Sequence, residues 1–137
     1  MEKIIMAKND LKKRGYKGFT LMEMLIVVAI IAVLVAIAIP VFSAQLNNAK
    51  VAADAANIRG GYAAATADVA GNKDAASGDT YYLKKDGTVT QTQSEGDFKT
   101  QGTASEDQDV AGQPLKWNAD QSVTYTYNGS SIKITFG

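Results

Sequence analysis

The longest charge-free run in the chain constrains its fold most. From Met24 to Phe42 no residue is charged, and the next charge after Phe42 is Lys50. About 20 apolar residues suffice to span a bilayer as a helix, so the run predicts a membrane-spanning segment. Glu23 stands directly before it. A carboxylate costs about 2–3 kcal/mol at mid-bilayer and less near an end, so Glu23 indicates a functional site with a partner.

The residues around Glu23 resemble the processing site of type IV pilins and the related pseudopilins. Residues 17–24 read KGFTLMEM, and basic residues precede them. The resemblance covers residues 17–46, including Pro40 near the end of the apolar run. It joins several independent features, because G-F-T-L-x-E is followed at once by a spanning segment. Beyond residue 50 the family diverges widely, and nothing there identifies a particular member.

The resemblance implies a processing event and a set of assembly residues. A prepilin peptidase is expected to cut between Gly18 and Phe19 and to methylate the new amine of Phe19. Glu23 then becomes the fifth residue of the mature chain, as in that family. Thr20 and Pro40 fit the family pattern and are expected, with Phe19 and Glu23, to serve in assembly. The chain would be a prepilin with a class III-type leader, most simply the major subunit of a type IV pilus.

The resemblance also implies partners and a location. The expected partners are copies of the same chain in a helical filament, the prepilin peptidase, and the pilus assembly platform with its ATPase machinery. The precursor would cross the inner or cytoplasmic membrane once, with its leader in the cytoplasm, before it enters an extracellular pilus. Such a pilus would support adhesion, motility or DNA uptake. No cofactor, metal or directly bound nucleic acid is expected.

Three alternatives remain open at this stage. A major pseudopilin of a type II secretion or competence system would use the same N-terminus for a short filament. An uncleaved surface-binding protein anchored by the same span would not need Gly18. A secretory signal peptide cleaved after Ala38 also has a basic start, but Glu23 would be unusual there and the apolar run is longer than ordinary.

Charge is distributed unevenly, although the whole chain is neutral. The first 18 residues hold six of the 14 basic and two of the 14 acidic residues, which gives +4 and leaves −4 for the rest. The basic flank predicts that the leader stays in the cytoplasm. The chain has neither Cys nor His, so it lacks the commonest general base and metal ligand. No catalytic constellation stands out, and we expect a peptidase substrate and not an enzyme.

The apolar run is expected to continue as an amphipathic helix. Apolar residues recur at spacings of four and three, namely Val51, Ala55, Ile58, Tyr62, Ala65 and Val69. The opposite face is expected to hold Lys50, Asp54, Asn57 and Asp68. Gly71 with Asn72 predicts the helix end, and Gly60-Gly61 could admit a bend. Pro40 removes one helical hydrogen bond and predicts a kink or local loosening.

The C-terminal part predicts two β-hairpins. Residues 80–84 and 88–90 flank Asp86-Gly87, a signal for a two-residue turn. Residues 122–127 and 132–136 alternate apolar and polar side chains around Asn128-Gly129. The predicted fold class is therefore α+β, a pilin fold in which a long helix packs its second half on a small antiparallel sheet. The expected divisions are a leader at 1–18, a transmembrane and filament-core helix at 19–46, and a head at 47–137.

The segment between the hairpins, residues 91–113, is rich in Gln, Thr, Ser, Gly and Asp. It predicts a long exposed loop with a short strand near Phe98. Glu106, Asp107 and Asp109 could contribute to a calcium site, but their spacing is not that of an EF-hand, and a solvated acidic loop is the simpler interpretation. Leu115 and Trp117 are expected in the core, the alternative for Trp117 being a surface role in adhesion.

Overall fold

The computed structural model describes the backbone of residues 2–137 and the side chains of residues 20–137. One helix, α1 (Glu2–Gly71), precedes all the strands. The strands are β1 (Thr80–Leu83), β2 (Val89–Thr90), β3 (Ala104–Val110), β4 (Gln113–Trp117), β5 (Val123–Tyr127) and β6 (Ile132–Phe136), with a 3₁₀ turn at Gln93–Glu95. The chain divides into two compact units, Met1–Ser43 and Ala44–Gly137. A long helix followed by antiparallel strands confirms the predicted α+β class.

The second unit is built around a four-stranded antiparallel sheet of order β2-β1-β5-β6. Alternate side chains of its strands face α1, because successive residues of a strand point to opposite faces. The fully or nearly fully buried ones are Tyr81, Leu83, Val123, Tyr125, Ile132 and Ile134. They pack with Val51, Ile58 and Ala65 of α1, which are also buried. The predicted apolar stripe of the helix therefore faces the sheet, with Ala55, Tyr62 and Val69 partly buried beside it.

Gly61 brings the helix close to the sheet. A Cβ atom built at Gly61 would collide with the Tyr125 hydroxyl and would lie 2.7 Å from Leu83 Cδ1. No heavy atom lies within 4 Å of a Cβ built at Gly60. The helix is continuous through both glycines, so Gly61 serves close packing and the pair does not interrupt α1.

Both predicted hairpins are confirmed, but the first turn is longer than predicted. Strands β1 and β2 pair through Leu83 and Val89, and the Lys84 amide donates to the Thr88 carbonyl at 2.9 Å. Three residues, 85–87, thus form the loop, with Gly87 at φ +87°. The Thr88 hydroxyl and amide donate to Asp86 Oδ1 at 2.6 and 2.9 Å, which lowers the pKa of Asp86.

The expected long loop at 91–113 is wrong. Residues 104–110 form β3, which pairs with β4 in a separate two-stranded sheet. The two residues between them, Ala111 and Gly112, both have positive φ, at 54° and 77°, as a type I′ hairpin turn requires. Phe98 is buried but lies in no strand. The polar composition concealed β3 because only its two ends, Ala104 and Val110, are buried.

Gln113 connects the two sheets through its side chain. Its Nε2 donates to the Ile132 carbonyl at 2.7 Å, and its Oε1 accepts from the Ile134 amide at 3.1 Å. Strand β6 is the edge of the four-stranded sheet. The amide of Gln113 therefore takes the place that a neighbouring strand would take along part of that edge.

The expected exposure of Asp54 is also wrong, because Asp54 is fully buried. It lies three residues after Val51 and four before Ile58, both of which are buried. Helical periodicity therefore places it on the apolar face. The expectation of exposure came from the charge of Asp54 alone. Its spacing from Val51 and Ile58 already placed it on the buried face.

Candidate processing and assembly site

The predicted site residues all lie in or before the first turns of the apolar helix, except Pro40. Gly18 and Phe19 fall outside the residues whose side chains are described. Thr20, Glu23 and Pro40 lie within α1, and Thr20 and Glu23 are exposed. The predicted roles of these five residues in processing and assembly stay predictions.

The helix that follows Glu23 presents apolar side chains on every side. Each large apolar side chain from Leu21 to Phe42 is between 44% and 67% exposed. The segment's most apolar window has a mean hydropathy of 3.3, and none of it is buried in the protein. A helix that is apolar all round requires lipid or other helices. Length and composition make it a candidate membrane span.

Glu23 is the one ionisable residue between Thr20 and Ser43. Across the described side chains, residues 20–137, the structure contains one ion pair, between Lys116 Nζ and Asp107 Oδ1 at 3.8 Å, and it does not involve Glu23. A carboxylate next to a spanning segment is favourable only with water or a cationic partner. Among the side chains of residues 20–137, Glu23 therefore has no cationic partner, and its own side chain is exposed.

Pro40 does not end the helix. The structure keeps α1 helical on both sides of it, although Pro cannot donate the hydrogen bond to residue 36. In filaments of the resembled family the segment before the matching Pro is often partly unwound, with a Gly eight residues earlier. That position is Ala32 here, and it is helical.

The head contains a polar cluster that sequence analysis missed. The carboxylate of Asp54 accepts hydrogen bonds from the Gln101 and Gly102 amides at 2.9 Å and from Trp117 Nε1 at 3.2 Å. Both oxygens are engaged, since Gln101 also reaches Oδ2 at 3.0 Å. The one sequence signal for it was the position of Asp54 on the apolar face. Two of its three donors are main-chain amides, which have no signature in a sequence.

The acidic residues of the segment that was predicted as a loop, residues 91–113, do not form a metal site. Among residues 20–137, no three Asp, Glu, His or Cys side chains lie close enough together to hold a metal ion. Glu106, Asp107 and Asp109 are exposed along β3. Trp117 and Leu115 are buried, as expected, and burial of Trp117 removes the alternative of an exposed adhesive aromatic.

Comparison with known protein families finds a match over the segment that contains most of the apolar run. Residues 13–39 match the prokaryotic N-terminal methylation motif. A type IV narrow pilus major component of Thermus thermophilus, PilA5, is 52% identical over 58 residues, which are 40% of this chain and 50% of that protein. The chain thus spans half the length of the curated relative it matches. No solved structure matches the chain.

The motif covers most of the residues that carry the resemblance, from Lys13 through Glu23 to Ile39, the residue before Pro40. The relative is, by its name, a major component of a type IV narrow pilus. Together they confirm the resemblance recognised in residues 17–46: over its N-terminal part the chain is similar to type IV pilins.

Proposed function

We propose that the chain is a prepilin, cleaved after Gly18, that polymerises into a type IV pilus on the cell surface. The observation that carries the proposal is the exposed apolar helix with a single carboxylate, Glu23, at its start. The methylation motif across residues 13–39 supports it. The name of the Thermus relative favours the major subunit of a pilus over a pseudopilin.

The proposed divisions of the chain follow from this role. Residues 1–18 are a basic leader that the peptidase removes in the cytoplasm. Residues 19–46 anchor the precursor in the membrane and later form the core of the filament. Residues 47–137 form the head on the exported side. The assembly platform and its ATPase extract each processed subunit, and the chain itself is a substrate of the peptidase and not an enzyme.

Polymerisation exchanges lipid contacts for helix contacts. Because lipid tails are as apolar as the helix, the net gain must come from packing and from paired charges. In the proposed filament, the Glu23 carboxylate of one subunit pairs with the α-amine of Phe19 on a neighbour. Breaking a buried pair leaves an uncompensated charge, at about 3–5 kcal/mol. The pair therefore sets register, and assembly must follow cleavage because uncut Phe19 offers only an amide.

The test is the N-terminus of the mature protein. Mass spectrometry of the membrane and pilus fractions should find a chain that begins at N-methylated Phe19. Replacing Gly18 by a bulkier residue should leave the full precursor in the membrane, with Gly15→Ala as the control that stays processed. A mature chain that begins at Ile39 would show a signal peptide. An intact Met1 terminus in the wild type would show an uncleaved anchor.

A further inference from the structure

The β3–β4 hairpin joins the rest of the head without sheet pairing. Within residues 20–137, no main-chain hydrogen bond connects β3 or β4 to the four-stranded sheet. Its buried side chains, Ala104, Val110, Leu115 and Trp117, contribute to the common core. The remaining attachments are side-chain hydrogen bonds, one of which runs from Arg59 Nη2 to the Asp109 carbonyl at 3.3 Å, and main-chain bonds at Thr100, the residue before the element.

The first attachment is to α1. The buried carboxylate of Asp54 holds the amides of Gln101 and Gly102 and the indole of Trp117, as described above. Two turns earlier, Asn47 Nδ2 donates to the Thr103 carbonyl and Asn47 Oδ1 accepts from the Thr103 amide, both at 3.0 Å. Residues seven apart share one helix face, so the two side chains hold residues 101–103 along α1.

Gly102 makes this close approach sterically feasible. A Cβ atom at Gly102 would lie 2.9 Å from Lys50 Cβ and 3.0 Å from the Val51 amide nitrogen. Main chain therefore packs against main chain at this position. The segment therefore lies against α1 at a distance that leaves no room for a side chain at position 102.

The second attachment is a set of hydrogen bonds around Thr100, which is itself buried. The Thr100 amide donates to the Gln121 carbonyl at 2.9 Å, and the Asp120 amide donates to the Thr100 carbonyl at 2.8 Å. The Thr100 hydroxyl donates to the Asn118 carbonyl at 2.6 Å and accepts from the Gln121 amide at 2.9 Å. The chain thus enters and leaves the hairpin element at one bonded point.

We propose that residues 101–117 are a hinged element that opens as a unit about Thr100, and that Asp54 is its latch. A carboxylate and its donors are costly to separate while they stay buried. Loss of one bond therefore favours release of the whole segment, which returns Asp54, the two amides and the indole to water together. Opening exposes Val110, Leu115 and Trp117 and releases the Gln113 bonds to β6. The proposal does not depend on the proposed function.

Hydrogen exchange on the full chain in detergent micelles tests the hinge. Asp54→Asn keeps the size of the side chain but turns an NH₂ group toward the donors. An unsatisfied buried group makes local opening easier, so amides of 101–117 should exchange at least about tenfold faster. Amides of β1, β5 and β6 should change by less than about twofold. Asp74→Asn, the same change at an exposed position, should leave both sets unchanged.

Trp117 provides an independent readout because it is the only tryptophan in the chain. Asp54→Asn should increase quenching of its fluorescence by acrylamide, whereas Asp74→Asn should not. Equal acceleration of exchange throughout the head would show cooperative unfolding and overturn the hinge. Acceleration confined to residues 101–103, or none at all, would overturn it as well, since the hairpin would then not move with the latch.

Discussion

The Tyr125 hydroxyl donates a 2.6 Å hydrogen bond to the main-chain carbonyl of Ile58, inside helix α1. Both residues are fully buried. The bond joins the centre of the sheet to the helix at the place where Gly61 allows the closest approach. Because of this contact, the stability of the head should depend on pH and on the size of the side chains beside it.

The head should lose stability at alkaline pH, in part through Tyr125. Burial raises the pKa of Tyr125, and burial together with Asp68 raises that of Tyr81. A raised pKa of an acid means that the folded protein holds its proton longer than the unfolded chain. The stabilisation is therefore complete below the unfolded pKa of about 10 and declines as the pH rises above it.

Tyr125→Phe should be less stable than the wild type at neutral pH, by about 1 kcal/mol for the lost hydrogen bond. The difference should shrink above pH 10, because Phe cannot ionise. Chemical unfolding at several pH values, followed by Trp117 fluorescence, measures both effects. A difference that stays constant from pH 7 to 11 would contradict this account of Tyr125.

Alanine substitutions at the two adjacent glycines should have opposite effects. Gly61→Ala forces a methyl group against Tyr125 and Leu83, and such overpacking costs about 1–3 kcal/mol. Gly60→Ala meets open space and should stabilise the helix by up to about 1 kcal/mol. Thermal unfolding of both variants checks the prediction. Stabilisation by Gly61→Ala would show that the close packing is absent.

The head should fold without the apolar helix. A fragment of residues 44–137 retains the whole second unit, including the helix stripe and both sheets. It should be monomeric by light scattering and show mixed helix and sheet by circular dichroism. Its Trp117 emission should be that of a buried indole. A disordered fragment, or one that folds only as an oligomer, would show that the core depends on the apolar half.

Glu23 should matter for assembly and not for membrane insertion or cleavage. Its proposed partner exists only on another, processed subunit, whereas the apolar run alone suffices for insertion. Glu23→Gln and Glu23→Ala should give a cleaved protein in the membrane with few or no filaments. Pilus yield is compared with the level of mature subunit. Normal filaments from Glu23→Ala would refute the charge pair but not the recognition of a pilin sequence.

Periodicity predicted the parts of the fold in which apolar residues repeat. The 51–69 stripe and the alternation in β5 and β6 are examples, because each buries one complete face. Strand β3 could not be predicted in the same way, since its central side chains are not buried and no alternation marks it. Its turn signal, Ala111-Gly112, was also weak, because Ala rarely adopts positive φ.

The candidate functional residues also divide into those that the sequence could predict and those that it could not. Roles for Gly18, Phe19 and Glu23 could be predicted because the resemblance assigns them by linear order before a spanning segment, and they stay predictions. Asp54 was missed because the charge of a residue outweighed its position in the helical pattern. Its partners at Gln101 and Gly102 are distant along the chain and bind through main-chain amides. Tertiary contact alone reveals such a site.

The side chain of Gln113 has a consequence for the crowding of copies in the proposed membrane and filament states. An edge strand with unpaired main-chain groups is a template on which strands of other molecules can add. By engaging the Ile132 carbonyl and the Ile134 amide, one glutamine blocks part of that edge without extending the sheet. In the proposed filament, copies then meet through their helices with less cross-strand aggregation of their heads at this edge.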